Sequence, residues 1–444
     1  MRLLRQAALL TSCFVLFAAF ASAQQPSTNS APPSANASLQ NEPGPDLRPR
    51  TFFGDLITGK WNLSGELGME QAYDDNILSS AVNRTSDLVS HPMLRVSLAV
   101  QKKRFSAQFN YSPSYSVYSK YSDRNSLSQS FSQSLGYRVS SHTDLNWVLS
   151  ASRQSTNSAT NSGLVDFGGA FVPIFEPQEL QSNTITTGLS SIMSVSHQLS
   201  AQNSVSASIN TAFTYIESDN GVPLAAALAN KNLSAGVNLS WDHQFVPGRS
   251  IGFQAGESYF AFLNPASHSN YQFVKVRYSQ SLAHGFHLSV GAGPSYSTSQ
   301  AQTFLTSTSG TVSYAIDASL AKTMGTRTMG ATYVHGSQPG SVQGSITSDA
   351  LSAFISQSIG RKWSAQASVG HSLSNSPGLL TQNSSSGLSV SGGLAYKVAR
   401  DLNFTANYSY LLQTIDQPLP GYAGFDHNVF SLGLRYTFHI ATER

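Results

Sequence analysis

Residues 70–78, EQAYDDNIL, set Asp74, Asp75 and Asn76 side by side, after Tyr73. A near-copy at 425–430, FDHNVF, repeats the acid and amide as Asp426 and Asn428. Adjacent carboxylates suit general acid–base chemistry or a divalent cation. Three roles are open to these motifs: rim and Asx-type turn chemistry, bridging to a divalent ion or lipopolysaccharide, and catalysis. The rest of the chain offers catalysis little. There is no Gly-x-Ser-x-Gly, no His-Glu-x-x-His, no phosphate-binding Gly-rich loop and no EF-hand spacing. The eleven histidines are scattered, with no pair at i, i+2 or i, i+4. These residues predict no enzyme, no cofactor and no dedicated metal site. The role of the acidic motifs then depends on the elements that carry them.

The N-terminus reads as an export signal. Arg2 and Arg5 precede the apolar run AALLTSCFVLFAAFA, and Ala21-Ser22-Ala23 supplies a cleavage site, giving a signal peptide over 1–23. Leu10-Thr11-Ser12-Cys13 also resembles a lipoprotein box, but the residues after it stay apolar. Cys13 is the only cysteine, so cleavage after Ala23 leaves no disulfide and no thiolate ligand. Cleavage also removes two arginines. That leaves 24 basic residues against 23 acidic ones, a balance that points to no nucleic-acid partner.

Charged residues make up only 11% of the chain, against about 25% in an ordinary soluble domain. Ser, Asn, Thr, Gln and Gly fill the gap, and aromatics reach 10%, which argues against disorder. No stretch after the signal approaches the roughly 20 apolar residues of a membrane helix. Residues 24–59 are Pro-, Ser- and Asn-rich and aperiodic, as expected of a periplasmic linker.

From Trp61 the texture becomes strict alternation. Phe105, Ala107, Phe109, Tyr111, Tyr115 and Val117 share one parity, with polar residues between them. Phe430, Leu432, Leu434, Tyr436, Phe438 and Ile440 do the same. A period of two means strands with one apolar and one polar face. Eight tight connections, from Lys102-Lys103 to Arg400-Asp401, alternate with nine long ones rich in Ser, Asn, Gly and Pro. That predicts an all-β, closed antiparallel transmembrane barrel over 60–440 with 18 strands, or 16 if the stretches near 85–101 and 183–199 are not strands. Residues 441–444 read as a C-terminal tail. Short turns belong in the periplasm and long loops outside, in the outer membrane of a Gram-negative bacterium. The expected partners are outer-membrane lipids and the assembly machinery that reads an aromatic-ended last strand.

Charges test this reading. A Lys or Arg facing lipid at mid-bilayer costs about 2–4 kcal/mol, so in-strand charges should take the polar parity. Glu66, Glu70, Arg95, Arg138, Asp242, Asp317, Lys397 and Arg435 do. Lys275 and Arg277 do so if Val274 and Val276 face outward, which leaves Phe273 on the polar side and predicts a bulge. Glu257 shares the apolar parity of Phe253 and Tyr259, which predicts an interface there or a register shift near Gly256. A homotrimer is one assembly this leaves open. Trp61, Trp147, Trp241, Trp363, Tyr118, Tyr215, Tyr296 and Tyr410 fall near strand ends, as an interfacial girdle would.

The segment 154–183 contains LVDFGGAFVPIFEPQEL, too apolar for a purely solvated loop. It joins the fifth and sixth expected strands, where general porins fold a constriction loop inward. Asp166, Phe167 and the two following glycines resemble the core of that loop, and Asp166, Glu176 and Glu179 would face the pore. A surface loop with an apolar cluster is the other reading. The remaining lumen would be rich in hydroxyls and amides, suited to small polar solutes or neutral saccharides. A closed or gated barrel serving surface exopolysaccharide export or anchoring is the alternative.

The Tyr73-Asp74-Asp75-Asn76-Ile77 element after the first strand resembles that of the β-barrel porin 2 family. The layout of signal, Pro-rich lead, long barrel and aromatic last strand is also similar. The resemblance implies a Gram-negative outer-membrane barrel, a group often linked to surface-polysaccharide systems. If the strand count is even, the first and last strands are neighbours, and the two acidic motifs should meet at the outer end of their seam.

Overall fold

Alternating apolar and polar residues leave each strand one face for a nonpolar environment and one for water, and closing the sheet removes its edges. The computed structural model shows this solution. It describes residues 60–78, 84–155, 163–166, 171–174, 184–218, 231–263, 266–301, 307–339, 345–377, 382–415 and 424–443. The expected signal peptide and linker, Phe167, Glu176 and Glu179 lie outside the described residues.

The chain begins with β1 (Lys60–Asp74), β2 (Asp87–Gln101), β3 (Phe105–Tyr118), β4 (Ser126–Ser140) and β5 (Thr143–Ser155). A separate hairpin, β6 (Gly163–Asp166) and β7 (Phe171–Ile174), follows. The wall resumes with β8 (Thr184–Gln198), β9 (Asn203–Ser218), β10 (Lys231–Val246), β11 (Arg249–Leu263) and β12 (Ala266–Ser281). It continues with β13 (Phe286–Ala301), β14 (Ser307–Met324), β15 (Arg327–Pro339) and β16 (Ser345–Ile359). It ends with β17 (Trp363–Pro377), β18 (Gln382–Lys397), β19 (Leu402–Ile415) and β20 (Phe425–Glu443). Eighteen strands form one antiparallel sheet, and β1 pairs with both β2 and β20, so the barrel is closed. The two stretches whose strand character was in doubt are full strands, β2 and β8. Residues 441–443, expected as a free tail, continue the ladder instead: Ala441 pairs with Leu63 and Glu443 with Trp61 past a bulge.

The eight tight connections all occur, and four use a glycine at positive φ: Gly248, Gly285, Gly325 and Gly360. Gly325, at φ 53°, closes the turn between β14 and β15, where a Cβ would be strained even though no neighbour obstructs it. The outward face is apolar. Leu67, Phe253, Val274, Leu351 and Leu394 are half-exposed there. Inward positions are dominated by Ser, Thr, Asn, Gln and Gly, many joined by hydroxyl–hydroxyl bonds such as Ser150–Ser190 and Ser206–Ser240, each 2.6 Å. Ile77, Val89 and Tyr118 form a small buried cluster at the long-loop rim.

One ladder is short. β14 pairs with β15 only from Met324–Arg327 up to Ile316–His335, so Ser307–Ala315 have no partner strand on that side. At the foot of the split, Tyr314 of the unpaired stretch stacks on His335 of the last pair, with ring centroids 4.2 Å apart. Phe273 does face inward; the register of β12 against β11 runs unshifted through it, whereas against β13 the ladder is interrupted between Phe273–Ser295 and Val276–Ala292 and resumes in the same register, a local irregularity without an inserted residue. Glu257 faces outward without any shift at Gly256; Asn270 and Gln272 of β12 donate to it at 2.7 and 3.1 Å.

Candidate functional site

Two sets of polar residues stand out: the rim where the barrel closes, and charged groups on two walls of the lumen.

At the rim, β1 and β20 bring the two acidic motifs together. The backbone N–H of Asp75 donates to the carbonyl of Asn428 at 3.1 Å. Alternation then sends neighbouring residues to opposite faces. On the inner face, Asp74 Oδ1 accepts from the backbone N–H of Asn76 at 2.9 Å and meets His427 Nε2 at 2.5 Å. All three residues are buried. Asn76 Nδ2 in turn donates to the carbonyl of Asp426 at 2.8 Å. On the outer face, Asp75 accepts from the backbone N–H and the side-chain amide of Asn428, at 2.7 and 2.8 Å. Tyr408 donates to Asn428 Oδ1 at 2.7 Å, and Arg84 pairs with Asp426 and lies 3.9 Å from Asp75. Tyr73 is exposed on the outer face.

Asp74, Asp75 and His427 are the one such group among the described residues whose ligand atoms lie within 4.8 Å of one another. Their chemistry fits a clasp better than a cation cage. Asp74 Oδ1 is already shared by two donors, both oxygens of Asp75 are engaged, and Arg84 supplies the positive charge. Next to the clasp, buried Asp87 accepts from the backbone N–H groups of Leu88, Lys120 and Tyr121, tying a neighbouring loop to the same rim. Arg84, Asp87 and His427 were not singled out from sequence. His427 shares the inward parity of Arg435, which was the available signal.

In the lumen, the charged residues fall into two groups. On β20, β1 and β2, Glu66 stands opposite Arg95 in register, and Arg435 lies 3.7 Å from Glu70. Across the barrel, nine strands round from β1, lies β12 with its neighbours. There the ladder registers align Asp242, Gly252, Arg277, Gly291 and Asp317 in a single row over β10 to β14. The row reads acid, glycine, arginine, glycine, acid. Lys275 pairs with Asp317 and lies 4.9 Å from the Phe273 ring centroid. The glycines are what let these side chains lie along the wall: a Cβ at Gly291 would come within 2.8 Å of the Asp317 carboxylate, and one at Gly252 would collide with Asp242. Each group carries two acids and two bases, so the lumen charge is balanced on both walls. Arg138, bonded to Asp144 at 3.2 Å, and Lys397 sit apart at the short-turn rim.

Asp166 ends β6, one strand of the hairpin inside the 154–183 segment. The backbone of β7 lies against β16 and β17 on the opposite wall, with β16 nine strands round from β5. The hairpin therefore lies on the far side of the barrel from β5, the strand before it.

No family model matches the chain, so its likeness to the β-barrel porin 2 family stays a resemblance. No curated protein matches either. Solved structures of similar shape are the FrpB iron transporter from Neisseria meningitidis, the outer membrane protein opdK from Pseudomonas aeruginosa and OccAB4 from Acinetobacter baumannii. FrpB is 9% identical, with 86% of this chain and 82% of that one covered at a TM-score of 0.45. For opdK the values are 10%, 85%, 99% and 0.43. For OccAB4 they are 12%, 85%, 98% and 0.43. Likeness at this level carries no functional argument.

Proposed function

We propose that this chain is a porin-type channel of the Gram-negative outer membrane, passing small polar solutes or neutral saccharides passively and without catalysis. The observation that carries this reading is the wall itself. Its outward face is apolar, its inward face is hydroxyls and amides, and the inward charges away from the short-turn rim offset one another in two groups. A barrel of about 18 strands is wide enough for an aqueous passage. Strands that satisfy their backbone groups in a closed sheet can cross a bilayer, and membrane lipids and the assembly machinery are then its partners. The short turns would face the periplasm and the acidic clasp the cell exterior.

A second reading draws on the hairpin. The backbone of β7 lies against the opposite wall, which supports a reading in which its hairpin restricts the passage, a gated barrel serving exopolysaccharide export or anchoring. Liposome swelling separates the two. Proteoliposomes of the full chain should swell in small sugars, and deletion of 160–180 should raise the rate and the size limit. No swelling in either form would overturn the channel reading. Swelling only after the deletion would favour the gated one.

A further inference from the structure

Charge on the outward face changes character along the barrel axis. Toward the long loops both signs occur, as in Asp75, Arg153, Lys231, Glu257 and Asp349. At the short-turn end, from the β10–β11 turn round to the β16–β17 turn, the outward charges are cations: Arg249, Lys322, Arg327 and Lys362. No outward acid accompanies them among the described residues. Lys322 and Arg327 break the polar-parity pattern of the wall. Lys322 shares the face of Leu320 and pairs in register with Phe286; Arg327 shares that of Met329 and pairs with Gln357. An outward charge is costly at mid-bilayer and nearly free at the interface, which sets this band at headgroup level. Each cation rests against a neutral group. The Lys322 ammonium lies 4.2 Å from the Phe286 ring centroid, and that of Lys362 lies 5.8 Å from Tyr396, whose ring is 4.5 Å from Trp363. Arg327 donates to Gln357 Oε1 at 2.8 and 3.1 Å, and the Arg249 guanidinium lies 3.3 Å from the Gln280 amide. Rings and amides orient these groups without cancelling their charge. With their partners they form a belt over neighbouring strands, β11 to β18.

We propose that this belt binds anionic phospholipids of the periplasmic leaflet through their phosphate groups. Cations on the lipid-facing surface meet those phosphates directly, arginine with paired N–H groups and lysine as a point charge. Aromatic rings at the same level suit the boundary between headgroup and acyl chain. A zwitterionic headgroup brings an ammonium that the belt repels, so a net negative lipid is favoured. The inference rests on the outer-membrane reading for the leaflet, but the binding itself needs no conduction.

The test uses the refolded full chain in mild detergent, with equimolar phosphatidylglycerol and phosphatidylethanolamine of identical acyl chains, read by native mass spectrometry. Phosphatidylglycerol adducts should exceed the others by about fivefold, and Lys322→Gln with Arg327→Gln should lower that ratio about threefold. Arg153→Gln with Lys231→Gln removes two outward cations near the long loops and should leave the ratio unchanged. Heat-modifiable gel mobility shows that each variant is folded. No preference in the folded wild-type chain overturns the belt. So does an equal fall in both double variants, because total charge would then select the lipid. Full competition by glycerol phosphate at the lipid concentration would mean a site for soluble phosphate and also overturns it. A chain that conducts without the preference loses only the belt. One that shows the preference but does not conduct loses only the channel reading.

Discussion

At the residue scale, the adjacent aspartates divide the work by parity. Asp74 points inward to His427 and Asp75 outward to Asn428 and Arg84. Asp74 and His427 are buried, so removing one partner strands the other. Asp74→Ala should lower the unfolding free energy in urea by about 2–4 kcal/mol. Asp75 is more exposed and its neighbours can turn to water, so Asp75→Ala should cost about 1–2 kcal/mol. Equal losses would contradict the division. That the two motifs meet was legible, because closure of an even-numbered barrel forces its ends together. Arg84 and Asp87 were not, because their contacts arise from loop paths that alternation does not encode; for His427, on β20, inward parity was the one signal. Equally hidden were the glycines under Asp242 and Asp317. A glycine in a strand reads as a weak point, and its use as a shelf appears only once register is known.

At the element scale, alternation and connection length located every wall strand, since each strand carries its own period and each turn its own glycine or polar pair. The same period of two assigns the ten charged candidates to the polar parity. Glu257 broke the rule, and it lies on the outward face with Asn270 and Gln272 as partners. Ladder length was invisible: nothing in β14 or β15 announces that their pairing stops at Ile316–His335. Amides in Ser307–Ala315 that point toward β15 therefore lack a strand partner. Hydrogen exchange should be fast there and slow over Ile316–Met324, on the same strand. Uniform protection along β14 would show that the split closes in the membrane.

At the scale of the whole molecule, what sequence could not supply is stagger. Asp242, Arg277 and Asp317 lie 35 to 40 residues apart along the chain, and only the cumulative register of β10 to β14 puts them in one row. The same closure sets that row opposite the Glu66, Glu70, Arg95 and Arg435 group, so that each wall is neutral by itself. A lumen balanced in this way should pass ions with little preference, and opposing neutral walls should hold solutes by hydrogen bonds instead of charge. Single-channel recording of the full chain in planar bilayers tests this most directly. Ohmic openings are expected, with potassium and chloride permeabilities within about threefold of each other, enlarged by deletion of 160–180. Silence from both forms, or strong selectivity for one ion, would contradict it.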